Sequence, residues 1–178
     1  MIERAPDMIA PRAWIVLLRV VVGFWFLKAV WTKLTVAWLF GMIPYPAVSP
    51  RFIGFHPKRV AEFAAGNPVE WYKNFLESTV LPHAAAFATL QAYGEVVVGL
   101  GLLLGALTGL SALIGLFLAI NFGLATQWMS FGQQGFHVLL VTSMVIFLCS
   151  RAGRVWGLDR WLLSREGARA RSWVRVLA

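Results

Sequence analysis

Three scarcities frame this sequence. Of its 178 residues only 13% are charged, only 8 are Asp or Glu, and a single one is cysteine. A soluble globular domain carries about a quarter charged residues, so this chain has too little polar surface to cover a globule, which excludes a cytosolic enzyme. Cys149 alone permits no disulfide framework, no CxxC redox pair and no cysteine zinc site within one chain. No internal repeat is visible, which argues against a solute or proton transporter built from repeated halves. The shortage of acid against 16 Lys+Arg leaves a net charge of +8. In a chain that is 59% hydrophobic, that excess orients a membrane protein and binds anionic lipid, and it does not point to nucleic acid.

What the sequence has in abundance is long apolar runs. A bilayer span needs about 20 mostly apolar residues, and four stretches qualify: 13–34, 82–107, 110–128 and 136–150. Pro11 suits a helix start, Pro82 opens the second run, and Thr108-Gly109 reads as the tight turn of a helical hairpin. The first run is too long for a cleaved signal peptide, is interrupted by Lys28 and lacks a small-residue cleavage site. The pattern predicts an all-α, integral-membrane four-helix bundle, one domain over 1–178, with the long loop 35–81 carrying short amphipathic helices.

Four spans put both termini on one side. The N-terminal segment and the tail 151–178 hold Arg4, Arg12, Arg151, Arg154, Arg160, Arg165, Arg169, Arg171 and Arg175. The loop's Arg51, Lys58, Arg59 and Lys73 are diluted by Glu62, Glu70 and Glu77. The positive-inside rule therefore predicts a multi-pass protein of the cell (inner) membrane with both termini cytoplasmic and the loop outside. Trp14, Trp156, Trp161 and Trp173 fall near the inner interface and Trp31, Trp38 and Trp128 near the outer one. Within the loop, Ile43-Pro44-Tyr45-Pro46 and Ser49-Pro50 break any helix and predict an extended stretch. Helical spacing predicts short helices over 57–65 and 67–81, with Asn67 as an N-cap before Pro68. From Asp159 the basic tail reads as an interfacial helix on anionic lipid.

Ionisable residues inside a span are costly unless paired or hydrated, so each is a candidate functional residue. Counting turns places Glu95 and Asn121 at one level near mid-bilayer, with Gln91 one turn above Glu95 on the same face. Arg19 lies lower and is expected to reach up and pair with Glu95, with Asn121 alongside. That pair has two readings: a register lock, or a proton- or ligand-handling centre. A second polar cluster falls at the outer ends: Lys33, His83, Gln127, Gln133, Gln134 and His137. His83 and His137 share a height but sit at the edge of the spans, so neither haem ligation nor a metal site is expected. They are either hydrogen-bonded to loop carbonyls and water or part of a headgroup site in which His137 exchanges protons. Lys28 is expected to snorkel to the outer headgroups. Gly101, Gly105 and Gly109 mark close helix approach.

Arg19-x3-Gly23, Phe26-Leu27 and Lys33-Leu34 resemble the first-helix pattern of the DoxX/DoxD-like membrane proteins. Leu90-x3-Gly94-Glu95-x3-Gly99-Leu100-x-Leu102-Leu103-Leu104-Gly105 is similar to that family's Gly-Glu helix with its Leu-Gly turn. Gly157-Leu158-Asp159-x-Trp161-Leu162 resembles its closing Leu-Asp signature. The order of motifs covers nearly the whole chain apart from part of the loop. The resemblance implies a four-helix membrane bundle and, for DoxD-like members, a membrane subunit of thiosulfate:quinone oxidoreductase. Arg19, Lys33 and Glu95 are motif positions to which it assigns no catalytic role.

Two functions follow as expectations. In the first, the chain is a subunit of a quinone-linked redox system. Glu95 and His137 would manage protons, while Arg19, Lys33, Gln91, Asn121, Gln127 and His83 would bind a quinone or small anion. Quinone is then the only cofactor expected, and the partners are the lipid bilayer, quinone, and a protein subunit or second copy. In the second, the chain is a non-catalytic structural or assembly subunit of a larger membrane complex.

Overall fold

A computed structural model describes residues 11–166. The elements run α1 (Pro11–Val30), β1 (Leu34–Leu39), β2 (Ile43–Val48), α2 (Pro50–Ala65), α3 (Glu70–Phe75) with a π-helical turn at Leu76–Val80, α4 (Ala84–Leu104), α5 (Thr108–Thr126) and α6 (Phe131–Ser150). A 3-10 turn at Ala152–Arg154 and α7 (Leu158–Glu166) complete the order. Four helices are long and apolar enough to cross a membrane: α1 from Ala13, α4, α5 and α6. Neighbours are antiparallel, with α4 packed on α1, α5 on α4 and α6 on α5. The chain's described ends lie at one end of the bundle, the terminal side, and the 31–83 connection lies at the other, the cap side.

Lipid tails are as apolar as leucine, so close approach of small residues, more than exclusion of water, brings such helices together. Ala88 and Ala92 of α4 and Ala112 and Ala119 of α5 are fully buried, around a core of Phe26, Val98, Leu102, Leu118, Met144 and Phe147. Large apolar side chains such as Leu17, Phe24, Leu113, Val138 and Leu139 face outward. Two close glycine contacts set the register of α1 on α4. A Cβ at Gly23 would lie 2.7 Å from the Leu103 backbone nitrogen, and one at Gly99 2.7 Å from Leu27. This register slides α1 toward the terminal side, so that its other end stops level with the middle of α4. The cap-side halves of α4 and α5 rise beyond it.

The terminal side is closed by two buried charged groups. Arg19, 1% exposed, donates to Ala152 O at 2.7 Å and Trp156 O at 3.1 Å. Asp159, 0% exposed, accepts from the Leu107 and Thr108 amides at 2.6 and 2.9 Å, capping α5, and its own amide donates to Gly105 O at 2.8 Å. The expected Arg19–Glu95 pair is therefore corrected: Arg19 is level with Gly105, ten residues along α4 from Glu95, or roughly 15 Å. Glycine contacts fix that register, and counting along separate helices does not reveal it.

Other boundaries shift for local reasons. The α4–α5 turn is 105–107, with Gly105 and Leu107 left-handed (φ +65 and +46), and Thr108 opens α5. α6 begins at Phe131 because Ser130 Oγ caps the Gln133 amide at 3.2 Å. The loop is not wholly helical: the extended stretch pairs back on Leu34–Leu39 as an antiparallel hairpin. Ser49-Pro50, expected to break a helix, starts one, with Ser49 Oγ accepting from the Phe52 amide at 3.2 Å and Pro50 in the first turn. α2 thus begins seven residues before the predicted Pro57, which lies inside it. Asn67 accepts from the Val69 amide at 3.0 Å and donates to Leu124 O at 2.9 Å, tying the cap to α5. The predicted tail helix is present as α7; the positions expected for Arg4, Arg169, Arg171, Trp173 and Arg175 lie outside the described residues.

Candidate functional site: a capped cavity between α4 and α5

The offset of α1 leaves the cap-side halves of α4 and α5 to be covered by something else, and α2, α3 and the π turn do so. Val60, Ala64, Tyr72, Leu76 and Val80 form a second apolar core with Ala125. Between this cap and the two helices lies a cavity of about 550 Å³. Its walls are aromatic and aliphatic: Phe63, Phe75, Phe87, Val97, Ile114, Phe117 and Phe122 among them. Polar groups converge from His56, Tyr72, Gln91 and Asn121.

Gln91 and His56 are ordered by a chain of hydrogen bonds that begins at an ion pair. The Lys33 ammonium bonds both carboxylate oxygens of Glu95, which is 2% exposed. Gln91 Nε2 donates to Glu95 Oε1 at 3.1 Å, and Gln91 Oε1 lies 3.2 Å from His56 Nε2. A carboxylate paired with a lysine only accepts, so the Gln91 amide must turn its NH2 toward Glu95 and its oxygen toward His56. The imidazole proton is thereby assigned to Nε2. Nδ1 of His56 is left as a buried lone pair with no partner. Burial, and to a smaller degree the Lys33 cation, hold the His56 pKa below its ordinary value against the opposing bond from Gln91, which favours this neutral form. On the opposite wall Tyr72 Oη donates to Asn121 O at 3.0 Å, and burial raises its pKa to about 12, so it stays a protonated donor. Among the described residues no group of three or more His, Cys, Asp and Glu is arranged to hold a metal ion.

Of the residues singled out by sequence, Lys33, Glu95 and Gln91 come together in one network, and Gln91 and Asn121 line the cavity. Lys33 belongs to this network and not to the edge cluster where counting put it. His137 is buried behind α5, its Nε2 2.9 Å from Thr126 Oγ1, and is not among the cavity residues. His83 is exposed and bonds Thr79 O at 3.0 Å. Gln127 is half-buried, and Gln133 and Gln134 are exposed, all away from the cavity. Arg19 serves the terminal side. Lys28 is exposed, its ammonium 5.2 Å from the centre of the Trp25 ring.

His56 and Tyr72 escaped the sequence reading. The available signal was the buried spacing His56, Val60, Ala64 on one face of α2. Placing the helix start at Pro57 cut His56 off from that face.

Four helices long and apolar enough to cross a membrane, with a cavity where the cap meets α4 and α5, define the class as a multi-pass membrane protein. The family model described as "TQO small subunit DoxD" matches residues 14–178, and the chain belongs to that family. No solved structure matches it.

Proposed function

We propose that the chain is the membrane subunit of a thiosulfate:quinone oxidoreductase-like system and that its capped cavity receives the quinone headgroup. The family supports the class of system. The observation that carries the site is the unpartnered, buried Nδ1 of His56 beside an apolar cavity of about 550 Å³. That volume is in the range of small-molecule pockets, in which a few placed polar groups fix orientation within an apolar wall. Aromatic and aliphatic walls suit a ring and a prenyl tail. Once a local rearrangement bares it, His56 Nδ1 would accept from a hydroxyl of the reduced ring. The second ring oxygen would accept from the Asn121 amide or the Tyr72 hydroxyl after local rearrangement.

In this reading Glu95 and Lys33 do not touch the ring. They orient Gln91, and through it His56. The arginines of the terminal side, Arg151, Arg154 and Arg160 among them, support a cytoplasmic placement of that side and hence a cavity near the outer interface. The term "small subunit" supports a protein partner that supplies the electrons.

The test is binding of a photoreactive short-chain quinone by the chain in lipid nanodiscs. Labelling is expected on the cavity walls, and His56→Leu is expected to weaken binding about tenfold, the value of one good hydrogen bond to a buried group. His83→Leu should leave it unchanged. Unaltered affinity in both His56→Leu and Gln91→Leu would remove the cavity from the proposal.

A further inference from the structure

The β1–β2 hairpin is the part of the connection that the cavity does not use. From Leu34 to Pro50 the chain holds no ionisable side chain other than Tyr45, and the charges resume at Lys33 and Arg51. Its side chains are bare: Phe40 is 84% and Met42 78% exposed, and Trp38, Leu39 and Ile43 are also exposed. The turn is closed by the Met42 amide to Leu39 O at 3.1 Å, with Phe40 and Gly41 both left-handed (φ +54 and +73). That geometry favours Asn or Asp at the first position, and a bulky aromatic there is strained. With Met42, Ile43, Trp38 and Leu39 beside it, the exposed Phe40 forms an apolar patch poorly suited to water.

The position of the hairpin is set by three bonds. The Lys33 amide donates to Val30 O and the Ser49 amide to Lys33 O, both at 2.8 Å, which hold its base at the end of the α1 span. Tyr93 Oη donates to Pro46 O at 2.9 Å. Tyr93 belongs to the cap-side half of α4, and a helical side chain leans toward the N-terminus of its helix, here the cap side, so this bond holds β2 against the flank of that half.

The backbone adds a constraint. Proline has no amide proton, so the Val36–Pro46 and Trp38–Pro44 pairs are the non-hydrogen-bonded ones of the ladder. Pro44 and Pro46 thus remove donors from the edge that turns toward Tyr93. The opposite edge, at Val36 and Trp38, keeps its N–H and C=O groups. An open edge is excluded from the hydrocarbon interior but is satisfied by water and ester groups at the headgroup boundary, the layer that tryptophan and tyrosine prefer.

We infer that the hairpin is a lipid-docking element lying in the interfacial layer of the cap-side leaflet, with Phe40 and Met42 inserted toward the acyl chains. The inference does not rest on the quinone reading. It is tested on the full chain in phospholipid vesicles, with Cys149→Ser as background and Phe40→Cys or Met42→Cys carrying a nitroxide. Lys58→Cys, exposed on α2, gives the aqueous reference. Both hairpin labels are expected to collide with oxygen several-fold more, and with a water-soluble nickel chelate several-fold less, than the reference label. Collision rates equal to the reference would place the hairpin in water and overturn the inference. Protection from both reagents would show that protein, a second copy or another segment, covers it, and would overturn it equally.

Discussion

Removing one partner of the Lys33–Glu95 pair should have effects that differ with which partner is removed. Lys33→Met leaves Glu95 with Gln91 as its one remaining donor in the network, at a site where the carboxylate side chain retains only 3% of its surface. Breaking a buried pair from one side costs about 3–5 kcal/mol. Because the lysine side chain keeps 14% of its surface, the lower end of that range applies. At about 2–4 °C per kcal/mol for a chain of this size, a loss of about 3 kcal/mol lowers Tm by roughly 6–12 °C. Glu95→Gln strands the lysine instead, and Lys33 stands at the end of α1, where its flexible stem can turn the ammonium to water. That variant should lose only about 1 kcal/mol. The double variant Lys33→Met/Glu95→Gln should fall close to Glu95→Gln alone. Thermal melts of the chain in mild detergent, followed by near-UV circular dichroism, measure all four proteins. Equal losses in the two single variants, or a double variant showing their sum, would refute the reasoning.

Three further outcomes follow from other contacts. Gly23→Ala puts a Cβ against the Leu103 backbone nitrogen and Gly99 O, where neither can yield cheaply, and should destabilise the bundle by about 1–3 kcal/mol in the same melts. Asp159→Ala removes both acceptors from the Leu107 and Thr108 amides; a loss of about 1–3 kcal/mol and early proteolytic cleavage near residues 104–110 are expected. His56 takes up a proton less readily when folded than a free imidazole does, because burial lowers its pKa. Its contribution is therefore complete above about pH 6.5 and is lost as pH falls through the lower folded value. Melts across this range should show that loss in the parent chain and a flatter profile in His56→Gln.

How much of this was legible in the sequence can be judged residue by residue. Gln91 and Glu95 are four apart on one helix, so their contact follows from the helix itself. Lys33 and Glu95 are joined only because Gly23 and Gly99 let α1 approach α4 in a register that stops α1 halfway along it. The same register takes Arg19 to the opposite end, where it closes on the carbonyls of 152 and 156. His56 enters the site from the connection, and nothing in its local sequence says which helix α2 covers. Pro57 also obscures the helix to which it belongs.

Composition and periodicity by themselves determined that four helices would be apolar over the thickness of a bilayer, that the connection would hold amphipathic helices, and that few ionisable groups would be buried. Those are properties of one segment at a time, governed by hydrogen bonding within the helix and by the aversion of apolar side chains to water. The tertiary structure alone decided which buried charges met, which helices the cap would roof, and that an uncharged stretch of loop would fold back as a hairpin at the end of α1. Each depends on the sliding of one helix against another, and that is set by the few places where a glycine allows two backbones to touch.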